Sequence, residues 1–188
     1  MHVTLLNGCE SGNPTVEIII NQLKSLAYLA NAEIARFDLA GMKINPCRGD
    51  FACWLATPGI CSQPDDTEKI FPEMVKSELY ILISPVVFGG FGYHLKKAYD
   101  RMIPVALPFL ATYKGETHHY DRYDTKATMW IIGIQPTRAL EEELLFKRLA
   151  ERNALNMHDP HYRVCVVAED EGKATIEGHI QIMGGGNG

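Results

Sequence analysis

The sequence predicts an α/β domain in which an open parallel sheet carries helices on both faces. Three observations lead there. Five short β-rich or apolar segments recur along the 188 residues. Stretches with apolar residues at helical spacing lie between them. Two of the five, 78–84 (ELYILIS) and 128–134 (TMWIIGI), are continuous apolar runs, as strands buried on both faces require.

The first strand spans residues 2–6 and is stopped by Asn7-Gly8. A helix follows, with Asn13 as N-cap, Pro14 at its first position, and an apolar stripe of Val16, Ile19, Ile20, Leu23, Leu26, Ala27 and Ala30. The second strand is 33–37, the third 78–84, and a helix with basic residues covers 90–102. Pro72 interrupts the 66–77 segment and is expected to kink or restart any helix there. The fourth strand is 128–134. Thr137 is expected to cap a helix near 138–152 whose charges run from Glu141, Glu142 and Glu143 to Lys147, Arg148 and Arg152, as the helix dipole prefers. Residues 162–168 make the fifth strand. Two long stretches, 39–65 and 103–126, break the alternation and read as functional loops. A single domain over 1–183 and a flexible glycine-rich tail over 184–188 complete the expectation.

Composition removes several function classes. A net charge of −5 without a basic stripe excludes electrostatic nucleic-acid binding, and no apolar run is long enough to span a bilayer. Five cysteines without a secretory leader point to thiols in a reducing compartment, so a cytoplasmic protein is expected.

In such a sheet, ligands bind beyond the carboxyl ends of the strands. The first loop holds Gly8, Cys9, Glu10, Ser11, Gly12 and Asn13, with Thr15 in the helix it opens. Free amides and the positive end of a helix dipole suit a phosphate there, although Glu10 opposes an anion unless it points away. The loop is neither a Walker A sequence nor a G-x-G-x-x-G fingerprint, and the bland alternative is an ordinary capped helix. The loop after strand three holds Pro85, Val86, Val87, Phe88 and Gly89. Its glycines and apolar residues can lie against a flat ring. A ligand with phosphate at one end and a planar ring at the other describes FMN.

These residues resemble the NADPH-dependent FMN reductase family of flavodoxin-like flavoproteins, and especially its branch of iron–sulfur flavoproteins. The resemblance covers residues 1 to about 135. It rests on the two loops, on CRGDFACW at 47–54 with TPGIC at 57–61, and on Asp65-Asp66, Lys96, Asp100-Arg101, His118-His119 and Arg122-Tyr123. It implies a flavodoxin-like three-layer sandwich with strand order 2-1-3-4-5. FMN would sit with its phosphate in the first loop and its ring against residues 85–89, with loop 133–137 on the other side. Homodimers or homotetramers whose subunits help cover the flavin are implied too. Cys9 and Ser11 stand where the family has a serine and an arginine, and Val87 replaces a common tyrosine.

The family branch carries a four-cysteine iron–sulfur motif; here Cys47, Cys53 and Cys61 are present and Asp50 stands in the place of the fourth. Soft thiolates suit such a cluster, and three with an aspartate form a reduced ligand set. Packing residues of a long loop are the preferred reading over a cluster, over zinc completed by His118 or His119, and over a redox-active thiol. Asp100 and Arg101 read as a helix-end ion pair, His118-His119 with Arg122-Tyr123 as loop anchors, Trp54 and Trp130 as packing residues.

No catalytic side chain is assigned, because hydride transfer to a flavin needs none. The expected activity is an FMN-binding oxidoreductase taking a hydride from NAD(P)H and passing electrons to a quinone, a flavin or a redox protein. The alternatives are a flavodoxin-like electron carrier reduced by a partner protein and a cofactor-free interaction module.

Overall fold

The computed structural model describes residues 1–26, 29–124 and 126–185. In chain order its elements are β1 (His2–Asn7), α1 (Pro14–Ser25), β2 (Glu33–Asp38), α2 (Ala52–Leu55), α3 (Thr67–Lys76), β3 (Leu79–Val87), β4 (Gly90–Phe91), α4 (Tyr93–Tyr99), β5 (Ala106–Tyr113), β6 (Glu116–Asp121), β7 (Thr128–Gln135), α5 (Leu140–Asn156), β8 (Arg163–Ala168) and α6 (Lys173–Gly185). Two 3-10 stretches, Leu39–Gly41 and Asp100–Val105, join them.

The main sheet runs β2-β1-β3-β7-β8, every neighbouring pair parallel, which is the 2-1-3-4-5 order of a flavodoxin-like fold. Alternation along the strands divides the core into two layers. Val3, Leu5, Ile81, Ile83, Trp130 and Ile132 face Val16, Ile19 and Leu23 of α1 and Ile176 and Ile180 of α6. Leu6, Leu82, Met129 and Ile131 face Ile70 and Met74 of α3, Leu95 of α4, and Phe146 and Ala150 of α5.

Several local expectations are corrected. The 103–126 stretch is not an unstructured loop: β5 and β6 pair as an antiparallel hairpin turned at Lys114 and Gly115, both at positive φ (48° and 80°). α3 runs unbroken through Pro72, which is exposed, as is Glu68, whose carbonyl loses its helical partner there. Residues 90–102 split into β4, α4 and part of a 3-10 stretch. Thr137 does not cap α5; Ala139 occupies the N-cap position, and Gln135 brackets it by accepting its N–H and donating to its carbonyl. α1 ends at Ser25, with Leu26 already extended, so Ala30 lies beyond the helix, and Ala27 lies outside the described residues. Gly184 and Gly185 belong to α6, where a Cβ at Gly184 would fall 2.4 Å from Leu26 Cδ1. The rest of the expected tail, residues 186–188, lies outside the described residues. No described helix is long and apolar enough to cross a membrane.

Candidate functional site

β1, β3 and β7 deliver three loops to one edge of the sheet. In the first, four of the six expected binding residues make bonds within the protein that hold the loop together. The Gly8 amide donates to the Ile83 carbonyl (2.8 Å), and a Cβ at Gly8 would sit 2.6 Å from Leu95 Cβ, so glycine there lets α4 close on the sheet. The Cys9 amide donates to Asn7 Oδ1 (3.1 Å), whose own amide is fixed by Asp38 (2.8 Å). Asn13 Oδ1 caps α1, accepting from the amides of Thr15 (2.9 Å) and Val16 (3.4 Å). Among the described residues, the amides of Glu10, Ser11 and Gly12 meet no protein acceptor, and all three residues are exposed. They form a strip of N–H groups before the positive end of a 12-residue helix.

The surrounding charge is acidic. Glu169, from the loop after β8, accepts from Asn13 Nδ2 (2.7 Å), and Glu10 turns away from the strip onto His94 Nε2 (3.0 Å). Burial, reinforced by Glu169 and Glu10, pushes the Cys9 thiol up to about 12.

The second loop is a tight β-hairpin. β4 folds back on β3, and Phe88 and Gly89 form a two-residue turn with φ of 49° and 72°. Gly89 is required twice over, by its φ and because a Cβ would fall 2.5 Å from Leu145 Cβ. Ser84 Oγ pins the return strand by accepting from the Gly92 amide (2.8 Å). Pro85 is half-buried and Val86 buried, with its methyl over Gly133, where a Cβ would meet it at 2.8 Å; Val87 is exposed and Phe88 stands 92% exposed. In the third loop Gln135 is buried, Pro136 and Thr137 are exposed, and Arg138 joins Glu143 and Glu171 at 2.6 Å each.

This donor set fits FMN: unpaired amides at a helix N-terminus suit a phosphate, and the apolar, glycine-turned hairpin lies at the same sheet edge. Ser11 and Gly12 of the expected residues supply such amides, and Glu10, absent from the expectation, supplies a third. Gly8, Cys9, Asn13 and Thr15 make the bonds within the loop given above.

The cysteine segment is organised by a residue the sequence reading misjudged. Asp100 does not pair with Arg101; it binds Lys96 (2.6 Å), while Arg101 is 1% exposed and forms a fully buried ion pair with Asp65 (2.7 Å). The guanidinium also donates to the Asn45 and Gln63 carbonyls, to Thr67 Oγ1 and to Cys61 Sγ (3.1 Å). Burial pushes the Asp65 carboxyl up, but hydrogen bonds from Thr67, Asn45 and Arg101 outweigh it and hold the group well below the usual carboxylate range. Cys47 is exposed, Cys53 buried and Cys61 half-buried, all three as free thiols. Asp50 caps the turn into α2 by accepting from the Ala52 amide (3.0 Å). Among the described residues no three metal-binding side chains are gathered. Trp54 donates to the Ile103 and Ala106 carbonyls and meets the His119 ring at 4.8 Å. His118 and His119 lie on β6, and Arg122 anchors the hairpin's exit by donating to the Pro104 carbonyl (2.8 Å).

A family model described as NADPH-dependent FMN reductase matches residues 1–136. No curated protein matches the chain. Among solved structures, the NAD(P)H:quinone oxidoreductase from Methanothermobacter marburgensis is similar over 98% of this chain and 95% of its own, with 12% identity and a TM-score of 0.70. An azoreductase from Bacillus anthracis str. Sterne is similar over 98% of both chains, with 11% identity and a TM-score of 0.64. An FMN-dependent NADH-azoreductase from Bacillus anthracis str. Ames Ancestor, solved in complex with FMN, is similar over 98% and 97% with 11% identity and a TM-score of 0.57. At these identities the likeness establishes a shared fold.

Proposed function

The chain belongs to the NADPH-dependent FMN reductase family, whose members are NAD(P)H-dependent, FMN-using oxidoreductases, and on that premise we propose that it passes the electrons to a quinone, a free flavin or another redox protein. FMN, when bound, supplies the hydride acceptance and the one- or two-electron delivery. The chain's own part is to bind and orient. The amides of Glu10, Ser11 and Gly12 hold the phosphate, with the Ser11 hydroxyl beside them. Pro85, Val86, Val87, Phe88 and Gly89 border the ring, and residues 133–137 approach from the opposite side. Gly8, Cys9, Asn13 and Thr15 keep the phosphate loop in shape. The single observation that carries this reading is the strip of unpaired amides before α1, at the same sheet edge as the glycine-turned hairpin.

Cys47, Asp50, Cys53 and Cys61 are read as packing and turn residues rather than as ligands of an iron–sulfur cluster. Cytoplasmic location and assembly as a homodimer or homotetramer belong to the proposal. Val87, Phe88, Tyr93, Leu140, Leu144 and Leu145 are exposed around the hairpin and the start of α5, and they support a second copy as the partner of that face.

The test is a visible spectrum of anaerobically purified protein before and after adding FMN, with iron counted, followed by mixing with NADPH and a quinone. Flavin bands without iron and nicotinamide-driven turnover are expected. Flavin that NADPH leaves unbleached would make the protein a carrier. A colourless protein that ignores added FMN would overturn the reading, and stoichiometric iron would return the cysteine segment to metal binding.

A further inference from the structure

Glu169 lies beyond residue 136, where the family match ends, yet its side chain is fixed at the phosphate loop. Its backbone N–H donates to the Gln135 carbonyl (2.8 Å), which ties the loop after β8 to the third loop. Glu171 braces the same turn: one carboxylate oxygen accepts from the Ala168 amide (3.1 Å) and the other from Arg138 (2.6 Å). From that support the Glu169 carboxylate accepts from Asn13 Nδ2 (2.7 Å), on the same side chain whose Oδ1 caps α1. An anion supplied by the chain itself is therefore held at the N-terminus of α1, where the helix dipole favours a phosphate.

The field around the amides of Glu10, Ser11 and Gly12 has the same sign. Burial is the first cause that raises the Cys9 thiol, and the charges that add to it are the carboxylates of Glu169 and Glu10. Two basic side chains that neighbouring segments bring to this edge are already committed. Arg138 joins Glu143 and Glu171 (2.6 Å each), and His94 meets Glu10 (3.0 Å). A phosphate on the strip is thus held by neutral N–H groups against nearby carboxylates. The ring and sugar-alcohol chain of a flavin are uncharged at neutral pH, so that repulsion falls on the phosphate alone. Resting on the FMN reading of this site, we propose that Glu169 is a specificity determinant of it. The carboxylate narrows the advantage of FMN over flavins that lack the phosphate, so the site also takes ligands of the riboflavin type.

The probes are FMN and riboflavin, titrated separately into the flavin-free full chain at about 20 mM and about 300 mM sodium chloride, with quenching of flavin fluorescence as the readout. The ratio of the two affinities isolates the phosphate, because everything else is common to both ligands. Salt screens like charges, so FMN should gain on riboflavin as salt is added; a phosphate held by cations would lose ground instead. Glu169→Gln keeps an oxygen for Asn13 Nδ2 and removes the charge. It is expected to raise the ratio by about fivefold at the lower salt, with riboflavin itself unmoved. Asp124→Asn removes an exposed carboxylate from the segment that leads into β7, at the opposite edge of the sheet, and should move the ratio by less than about twofold. A ratio that Glu169→Gln leaves unchanged, an equal shift from Asp124→Asn, or a ratio that falls as salt is added would each overturn the proposal and leave the flavin site standing. A protein that binds neither flavin would overturn the FMN reading and this inference with it.

Discussion

Arg101 donates to Asn45, Cys61, Gln63, Asp65 and Thr67, and so fastens the cysteine segment to the end of α4. Arg101→Met leaves the Asp65 carboxylate buried without its partner, and a loss of about 3–5 kcal/mol in urea unfolding is expected. The pH dependence follows from the depressed Asp65 carboxyl. In the unfolded chain it titrates at about 3.9, so its contribution is complete above that value, falls as pH drops below it, and is gone once pH passes the lower folded value. Urea midpoints measured into acid should therefore fall less steeply for Asp65→Asn than for the parent. Thiol reactivity follows burial as well. Cys9, buried and pushed up to about 12 mainly by burial, stays protonated at pH 8, so alkylation followed by mass spectrometry should find exposed Cys47 modified first and Cys9 last. Some of this was legible in the sequence. Asn13-Pro14 announces a helix start chemically, and the structure has Asn13 at the cap. Arg101 was misread because adjacency to Asp100 is visible in a sequence, whereas burial beside a carboxylate 36 residues away is not.

At the scale of elements, the β3–β4 hairpin depends on Gly89. Gly89→Ala combines a positive φ with a Cβ driven into Leu145, and a destabilisation of about 1–3 kcal/mol is expected in thermal melts. Gly12→Ala, at a φ of 81° but in open space, should lose only about 1–2 kcal/mol. At the phosphate loop, Glu10→Gln removes an exposed like charge and should tighten FMN by about two- to fivefold at low salt, an effect that fades as salt is added. Fluorescence titration reads it. The strands of the main sheet were legible because continuous apolar runs and alternation are properties of the chain itself. The β5–β6 hairpin was not, since Pro108 and the polar ETHHYD strand mask its pattern, and its one local signal is Lys114-Gly115. α6 was missed although Ile176, Ile180 and Met183 sit at helical spacing, because its glycines read as a tail.

For the whole molecule, strand order followed from the family resemblance and agrees with the structure, while the contents of the carboxyl edge needed coordinates to separate free amides from committed ones. The exposed apolar face around Phe88 and Leu144 belongs to this scale. Replacing both with lysine should lower the mass seen in sedimentation without changing the melting transition of the subunit, if that face joins two copies. The sheet's connectivity also bears on synthesis. The family match ends at residue 136, one residue past β7, yet β8 pairs along β7 from Trp130 to Gln135 and α6 covers the same sheet face as α1. A nascent chain that has emerged only to that point therefore carries the first two loops of the candidate site on a sheet whose β7 edge is bare and whose faces each lack a helix, α5 on one and α6 on the other. Such edges template aggregation. The carboxyl-terminal segment thus supplies what the sheet still lacks at that point, a partner for the β7 edge and a helix for each face.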